Sequence, residues 1–397
     1  MVKKISVCLV CLFFCMVVSA GDSIPSKYSF LTVNAAGGFV LPTEHLTIGK
    51  GNQSSLYSAF ALKYGFTTRG NKLENYYFGL PYYGIGVYIP RFSYQKEMGH
   101  PFSAYIFMGG TVAELNSFLS FNYEINLGAS FNWNRYDMNK DPDFTALGSS
   151  VNVHLAGSGY LNWRLSDKFD LHTGISLNHF SNGALRTPNN GLNAVSSFVE
   201  LAYYFNRKDK RSLKDIINYT PPEFKKSSIH DITVMYTTHT LKIDSAGTGM
   251  ESKYPRKQFN VVGISYSYMQ HNTRRFMWGP SLELVYDESI NASFTGKRDP
   301  KTGIYREYYR MAGIKNRFSV GVSLKGEITM PGYAIFVNLG YDIYHKDRRV
   351  ARFYQIYGGK VNLSNNLFAT FSVRSTNVTR SQYLHFSLGY RFRHYRK

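Results

Sequence analysis

From residue 28 onward the chain alternates apolar and polar side chains in segments of roughly ten to fifteen residues, separated by clusters of Gly, Asn, Asp and Ser. This is the pattern of barrel strands and turns. Candidate strands fall near 28–41, 55–66, 82–96, 102–112, 118–135, 146–163, 168–181 and 193–206, and a second set near 230–245, 257–271, 275–290, 315–328, 332–345, 352–363, 367–376 and 382–393. Bacterial single-chain barrels carry even strand numbers. The expected fold is therefore all-β, an antiparallel transmembrane β-barrel of about 16 strands, with 12–16 as the range.

With the first strand running outward, the tight links Leu165-Ser166-Asp167, Met330-Pro331-Gly332 and Ser364-Asn365-Asn366 fall inside, and the long links 136–145, 182–192 and 291–312 fall outside. The exception is 207–228, which opens on Arg207-Lys208-Asp209-Lys210-Arg211 and reads as a solvated basic connection between halves at 28–206 and 229–397. One barrel is the simpler arrangement, because two closed sheets would each need their own closure. A weak internal echo aligns Ser166-Asp167-Lys168 with Ser364-Asn365-Asn366, which sets His179 against Asn377 and Ser181 against Thr379.

Residues 1–20 change the picture by placing the chain outside the cytoplasm. Lys3 and Lys4 precede an apolar run from Ile5 to Val18 and the small residues Ser19 and Ala20, which together read as a cleaved signal peptide. That run is shorter than the ~20 residues of a spanning helix, and no stretch of ~18 apolar residues follows it. All three cysteines, Cys8, Cys11 and Cys15, lie in this segment, so the exported chain 21–397 has no thiol, disulfide or Cys-zinc site. Phe14 before Cys15 spoils a lipid-attachment signal. Of the remaining composition, 32 Tyr and 29 Phe against 13 Pro favour pleated, half-buried surfaces. The last candidate strand runs from Tyr383 to Phe392 with alternating aromatics, the kind of terminal strand that outer-membrane assembly reads. The location implied is the outer membrane of a Gram-negative bacterium.

Without Lys3 and Lys4 the chain keeps 44 basic against 26 acidic residues. Nucleic acid is the first partner such a balance suggests, but an exported barrel does not meet it. Outer-membrane lipids, above all the phosphates of lipopolysaccharide, are the better match. The basic groups Lys297-Arg298, Arg306, Arg310 and Lys346, Arg348, Arg349, Arg352 would lie outside, gripping such phosphates or solvating loops. His45, His100, His154, His172, His230, His239 and His271 lack metal-ligand spacing, and Gly49-Lys50-Gly51 lacks the rest of a phosphate loop, so no metal or cofactor is expected.

Candidate chemistry lies in Leu177-Asn178-His179-Phe180-Ser181-Asn182-Gly183, followed by Pro188-Asn189-Asn190-Gly191-Leu192-Asn193. Side chains two apart on a strand share a face, so His179 can act as general base for Ser181. Leu171, Thr173, Ile175 and Leu177 share that face, which should meet lipid, whereas His172, Gly174, Ser176 and Asn178 should face the lumen. Two polar groups on a lipid-facing wall are costly unless they pair or serve something. On the next strand Asn193 falls in register with Val195, Ser197, Val199 and Leu201, where its amide oxygen can fix the imidazole tautomer. Glu200, the nearest carboxylate, points the other way. Asn182 and the backbone around Gly183 are the candidate oxyanion donors.

These two segments resemble the lipid A 3-O-deacylase (PagL) and acyloxyacyl-hydrolase-like barrels. Tyr82-Tyr83-Gly84-Ile85-Gly86, Phe121-Asn122-Tyr123-Glu124 and Phe131-Asn132-Trp133 are similar to the longer Bacteroidetes-type members, and a weaker match lies around 354–392. The resemblance implies an outer-membrane serine esterase that removes an ester-linked acyl chain from lipid A, and the sequence leaves monomer and homodimer both open. It also implies a His–Ser pair with an acidic third residue, a position held here by Asn193. The rival expectations are a channel or transport barrel, whose sixteen strands would leave an aqueous lumen, and a structural barrel with an inactive site.

Overall fold

The computed structural model describes residues 28–41, 56–68, 75, 78–93, 95–138, 140, 144–205, 207, 224–330, 332–377 and 380–395. The expected signal peptide and most of the 207–228 connection lie outside the described residues. The first eight strands are β1 (Tyr28–Val40), β2 (Leu56–Thr67), β3 (Tyr82–Phe92), β4 (Gly99–Glu114), β5 (Leu119–Trp133), β6 (Asn152–Arg164), β7 (Phe169–Ser181) and β8 (Leu192–Phe205). Each pairs antiparallel with its sequence neighbour, and β1 pairs with β8 from Ser29↔Phe205 to Val40↔Ala194, closing the sheet.

The second barrel takes β9 (Ser227–His239), β10 (Phe259–His271), β11 (Phe276–Asp287), β14 (Phe318–Met330), β15 (Tyr333–His345), β16 (Phe353–Asn362), β17 (Leu367–Thr376) and β18 (Arg380–Tyr395). It closes by pairing β18 with β9, from Phe386↔Tyr236 to Tyr395↔Ser227. Between β11 and β14 a separate hairpin is formed by β12 (Ser293–Arg298) and β13 (Tyr305–Arg310). The sixteen wall strands are those expected, but the single sixteen-stranded barrel is corrected to two closed barrels of eight. The reason is non-local: β8 finds its second partner in β1, a pairing that strand periodicity does not encode.

Alternation assigns the two faces of each wall. In β2 every second residue is buried, so Lys63 points inward while Leu62, Tyr64 and Phe66 are exposed. Such an apolar exterior belongs in hydrocarbon. Aromatic pairs ring the tight-turn end of the first barrel: Tyr64 with Phe66, Phe169 with Tyr203, and Tyr203 with Phe205, at centroid separations of 5.0–5.2 Å. No helix among the described residues is long and apolar enough to cross a membrane.

Both interiors are filled, as the small circumference of eight strands requires. In the first barrel Lys63 bridges Glu124 and Glu200 at 2.8 Å each, and His172 Nδ1 lies 2.8 Å from Glu200. Phe30, Tyr82, Phe107 and Tyr204 pack below this layer, and Tyr88, His154, Phe180 and Trp133 pack above it. In the second barrel Lys360 and Arg391 both pair with Asp231 and Glu327, while Arg374 pairs with Asp342 and Glu283 and covers the Tyr354 ring at 3.6 Å. These buried charges are paired side chain to side chain, as desolvation demands.

Candidate functional site on the outer wall

β7 and β8 carry the candidate site to the long-loop end of the first barrel. Their register sets His179 directly opposite Asn193, with Leu155 of β6 on the other side of His179 and Val153 beside Ser181. The odd-numbered residues of β7 face outward: Ile175 and Leu177 are exposed on the outside of the wall, whereas Asn178 and Phe180 are buried inside. His179, Ser181 and Asn193 therefore stand on one outward face, with apolar wall beneath them.

The geometry forms a relay. His179 Nδ1 lies 2.7 Å from Asn193 Oδ1, and His179 Nε2 lies 2.8 Å from Ser181 Oγ. With the ring proton on Nδ1 donated to the amide oxygen, Nε2 is left as the acceptor for the serine hydroxyl. That is the protonation a general base needs. Glu200 is indeed turned inward, where it serves the Lys63–His172 cluster.

The loop after β7 is held by its own side chains. The Asn182 N–H donates to Asn189 Oδ1 at 2.9 Å, Asn190 Nδ2 donates to Thr145 Oγ1 at 2.9 Å, and the Gly191 N–H donates to the Ala146 carbonyl at 3.1 Å. Asn189 thus occupies the Asn182 N–H, and the Asn182 side chain, expected as an oxyanion donor, is buried. Gly183 has φ +56°, a left-handed conformation suited to glycine. Gly191 also borders the site, a part that its sequence setting did not mark. It has φ +72°, and a Cβ there would lie 3.0 Å from His179 Cε1, so a side chain would strain the backbone and crowd the imidazole. Among the described residues no group of His, Cys, Asp and Glu is placed to hold a metal ion. Of the echo in the second barrel, Asn377 follows β17 in a turn, and Thr379 lies outside the described residues.

Closed antiparallel sheets with apolar walls, filled interiors and short turns at one end define an outer-membrane β-barrel protein. The family model of lipid A 3-O-deacylase (PagL) matches residues 52–202, and that of the acyloxyacyl hydrolase C-terminal domain matches residues 230–394. One falls on each barrel: the chain joins a barrel of the PagL family to a barrel of the acyloxyacyl hydrolase C-terminal family. No curated protein sequence matches it. Among solved structures it is similar to the outer membrane enzyme PagL, with 17% identity and a TM-score of 0.32 over 43% of this chain and 97% of that one. It is also similar to the siderophore receptor PirA from Pseudomonas aeruginosa (12% identity, TM-score 0.22, covering 93% of this chain and 81% of that one). A porin of Rh. blastica shows 10% identity and a TM-score of 0.17, over 92% of this chain and 100% of that one.

Proposed function

We propose that the first barrel is a serine esterase that hydrolyses an ester-linked acyl chain of lipid A. The observation that carries this reading is the continuous relay Asn193–His179–Ser181 on the outward face, at the long-loop end of the wall. Ser181 Oγ attacks the ester carbonyl as its proton passes to His179 Nε2, and the sugar alkoxide leaves with that proton. Water, deprotonated by the same nitrogen, then releases the fatty acid from Ser181. The Gly183 N–H is the donor proposed for the oxyanion, because the Asn182 side chain is buried.

Asn193 orients the imidazole without neutralising the imidazolium that forms. The tautomer is therefore correct and the charge stabilisation reduced relative to a carboxylate. The channel reading is disfavoured by interiors packed with paired charges and aromatic rings.

Mass spectrometry of lipid A from cells making the wild type, Ser181→Ala and His179→Ala tests the proposal. Loss of one acyl chain is expected with the wild type, and acylation unchanged from untransformed cells with either variant. Identical lipid A from all three, with the barrel shown to be folded in the membrane, would reject it.

A further inference from the structure

The β12–β13 hairpin stands in the long β11–β14 connection, at the end of the second barrel opposite its tight turns. Its register places Ser293 opposite Arg310, Thr295 opposite Tyr308, and Lys297 opposite Arg306. These six side chains share one face, and all six are exposed.

The other face is pinned. Phe294 is buried with Met250, Phe259 and Ala292, and Tyr305 packs against the same cluster. The Gly296 N–H donates to the Thr248 carbonyl at 3.0 Å, and Tyr305 Oη accepts the Glu251 N–H at 3.1 Å. The acidic groups nearby are consumed elsewhere: Glu251 binds Arg298, Glu307 accepts the Arg256 N–H, and Asp299 accepts the N–H groups of Lys301 and Thr302 in the turn. Lys297, Arg306 and Arg310 make no ion pair among the described residues.

Like charges directly opposite on a two-stranded ribbon repel. Here the arrangement is held by an anchored apolar underside, with three cations presented outward around Tyr308. Such a face is matched by closely spaced anions at the outer surface, and the outer leaflet supplies them as lipopolysaccharide phosphates.

We infer that the exposed face of the β12–β13 hairpin is a docking surface for the phosphate groups of lipopolysaccharide, with Lys297, Arg306 and Arg310 as the contacts. The inference rests on the outer-membrane location and is independent of the esterase reading. The Ser181→Ala background keeps the two separable.

The test uses the full chain, Ser181→Ala, in an uncharged maltoside detergent, titrated with bis-phosphorylated lipid A and with the same lipid A after enzymatic removal of its phosphates. Each cation near an anionic lipid surface contributes roughly a fivefold change in affinity, so Lys297→Ser/Arg306→Ser/Arg310→Ser is expected to weaken binding about a hundredfold. Binding should fall with added salt and should be lost with the dephosphorylated lipid. Arg306→Glu guards against misfolding, because it sets an opposite charge across from Lys297 and should leave the hairpin intact while binding still falls. Equal affinity of the triple variant and its parent, or indifference to the phosphates, overturns the inference. So does phosphate-independent self-association of the chain that the triple variant abolishes, which would assign this face to a second copy.

Discussion

At the scale of single residues, the third member of the relay decides how strong the base is. Asn193 Oδ1 at 2.7 Å from His179 Nδ1 already holds the ring, so replacing the amide by a carboxylate changes charge and not tautomer. Asn193→Asp, which keeps the side-chain length, is expected to raise the deacylation rate about tenfold, the equivalent of one pKa unit of extra imidazolium stabilisation. An unchanged or lower rate in detergent-solubilised assays with purified lipid A would show that Asn193 does more than stand in for an acid. Gly191→Ala forces a Cβ toward His179 Cε1 on a left-handed backbone, and should cost at least tenfold in rate while the barrel still folds. Retention of full rate would remove Gly191 from the site. The motif itself is less specific than its setting. His385-Phe386-Ser387-Leu388-Gly389 repeats the His-Phe-Ser-x-Gly pattern, yet His385 and Ser387 are buried inside the second barrel, with Nδ1 3.4 Å from Oγ. Strand parity distinguishes the two copies, and parity is legible in the sequence: Leu171, Thr173, Ile175 and Leu177 mark the face of His179 as apolar.

At the scale of strands, alternation located every wall strand, and the ends moved by at most six residues. The segment read as 367–376 is β17 as observed, and 146–163 became Asn152–Arg164 because 146–151, with Gly148-Ser149-Ser150 at its centre, belongs to a loop that tucks Ala146 and Leu147 into the core. The β12–β13 hairpin was missed within 291–312, since two six-residue strands rich in Lys and Arg carry little of the apolar alternation that marks a wall. Nor could periodicity say what the inward residues do. Lys63, Glu124, His172 and Glu200 are far apart in sequence, and each is simply a polar residue on an inward face until closure brings their strands together. That convergence has a stability consequence. Lys63→Met leaves Glu124 and Glu200 facing each other in the interior without their shared cation, and should destabilise the barrel by about 3–5 kcal/mol. The measurement is the urea midpoint of the heat-shifted folded band in detergent. A midpoint equal to wild type would mean that the lumen is wet enough to screen the two carboxylates.

For the whole molecule, closure is the property that local sequence left open. Each β-hairpin is specified by neighbouring segments and tight links such as Leu165-Ser166-Asp167, but whether the edge of β8 meets β1 or β9 is settled by comparing two long-range pairings. The structure resolves it through twelve register pairs between β1 and β8, and this same pairing brings Glu200 of β8 against Asn34 of β1, with Asn34 Nδ2 donating to Oε2 at 3.1 Å. All backbone partners of the first sheet are thus found within residues 28–205, and its buried charges are matched within 28–207, by Lys63, His172 and Arg207. Nothing in that closure calls on the second barrel. A chain ending at residue 222, exported with its own N-terminal segment, should therefore insert as a heat-modifiable barrel, because a closed sheet has no edge to leave unsatisfied in lipid. Were β8 instead to require β9, the same fragment would expose two strand edges to hydrocarbon and accumulate as unfolded, protease-sensitive material. Assaying lipid A from cells making this fragment adds a second readout, since Ser181, His179 and Asn193 all lie within it. Deacylation by the folded fragment would place the chemistry in the first barrel alone, whereas a folded but inactive fragment would make the second barrel part of the enzyme.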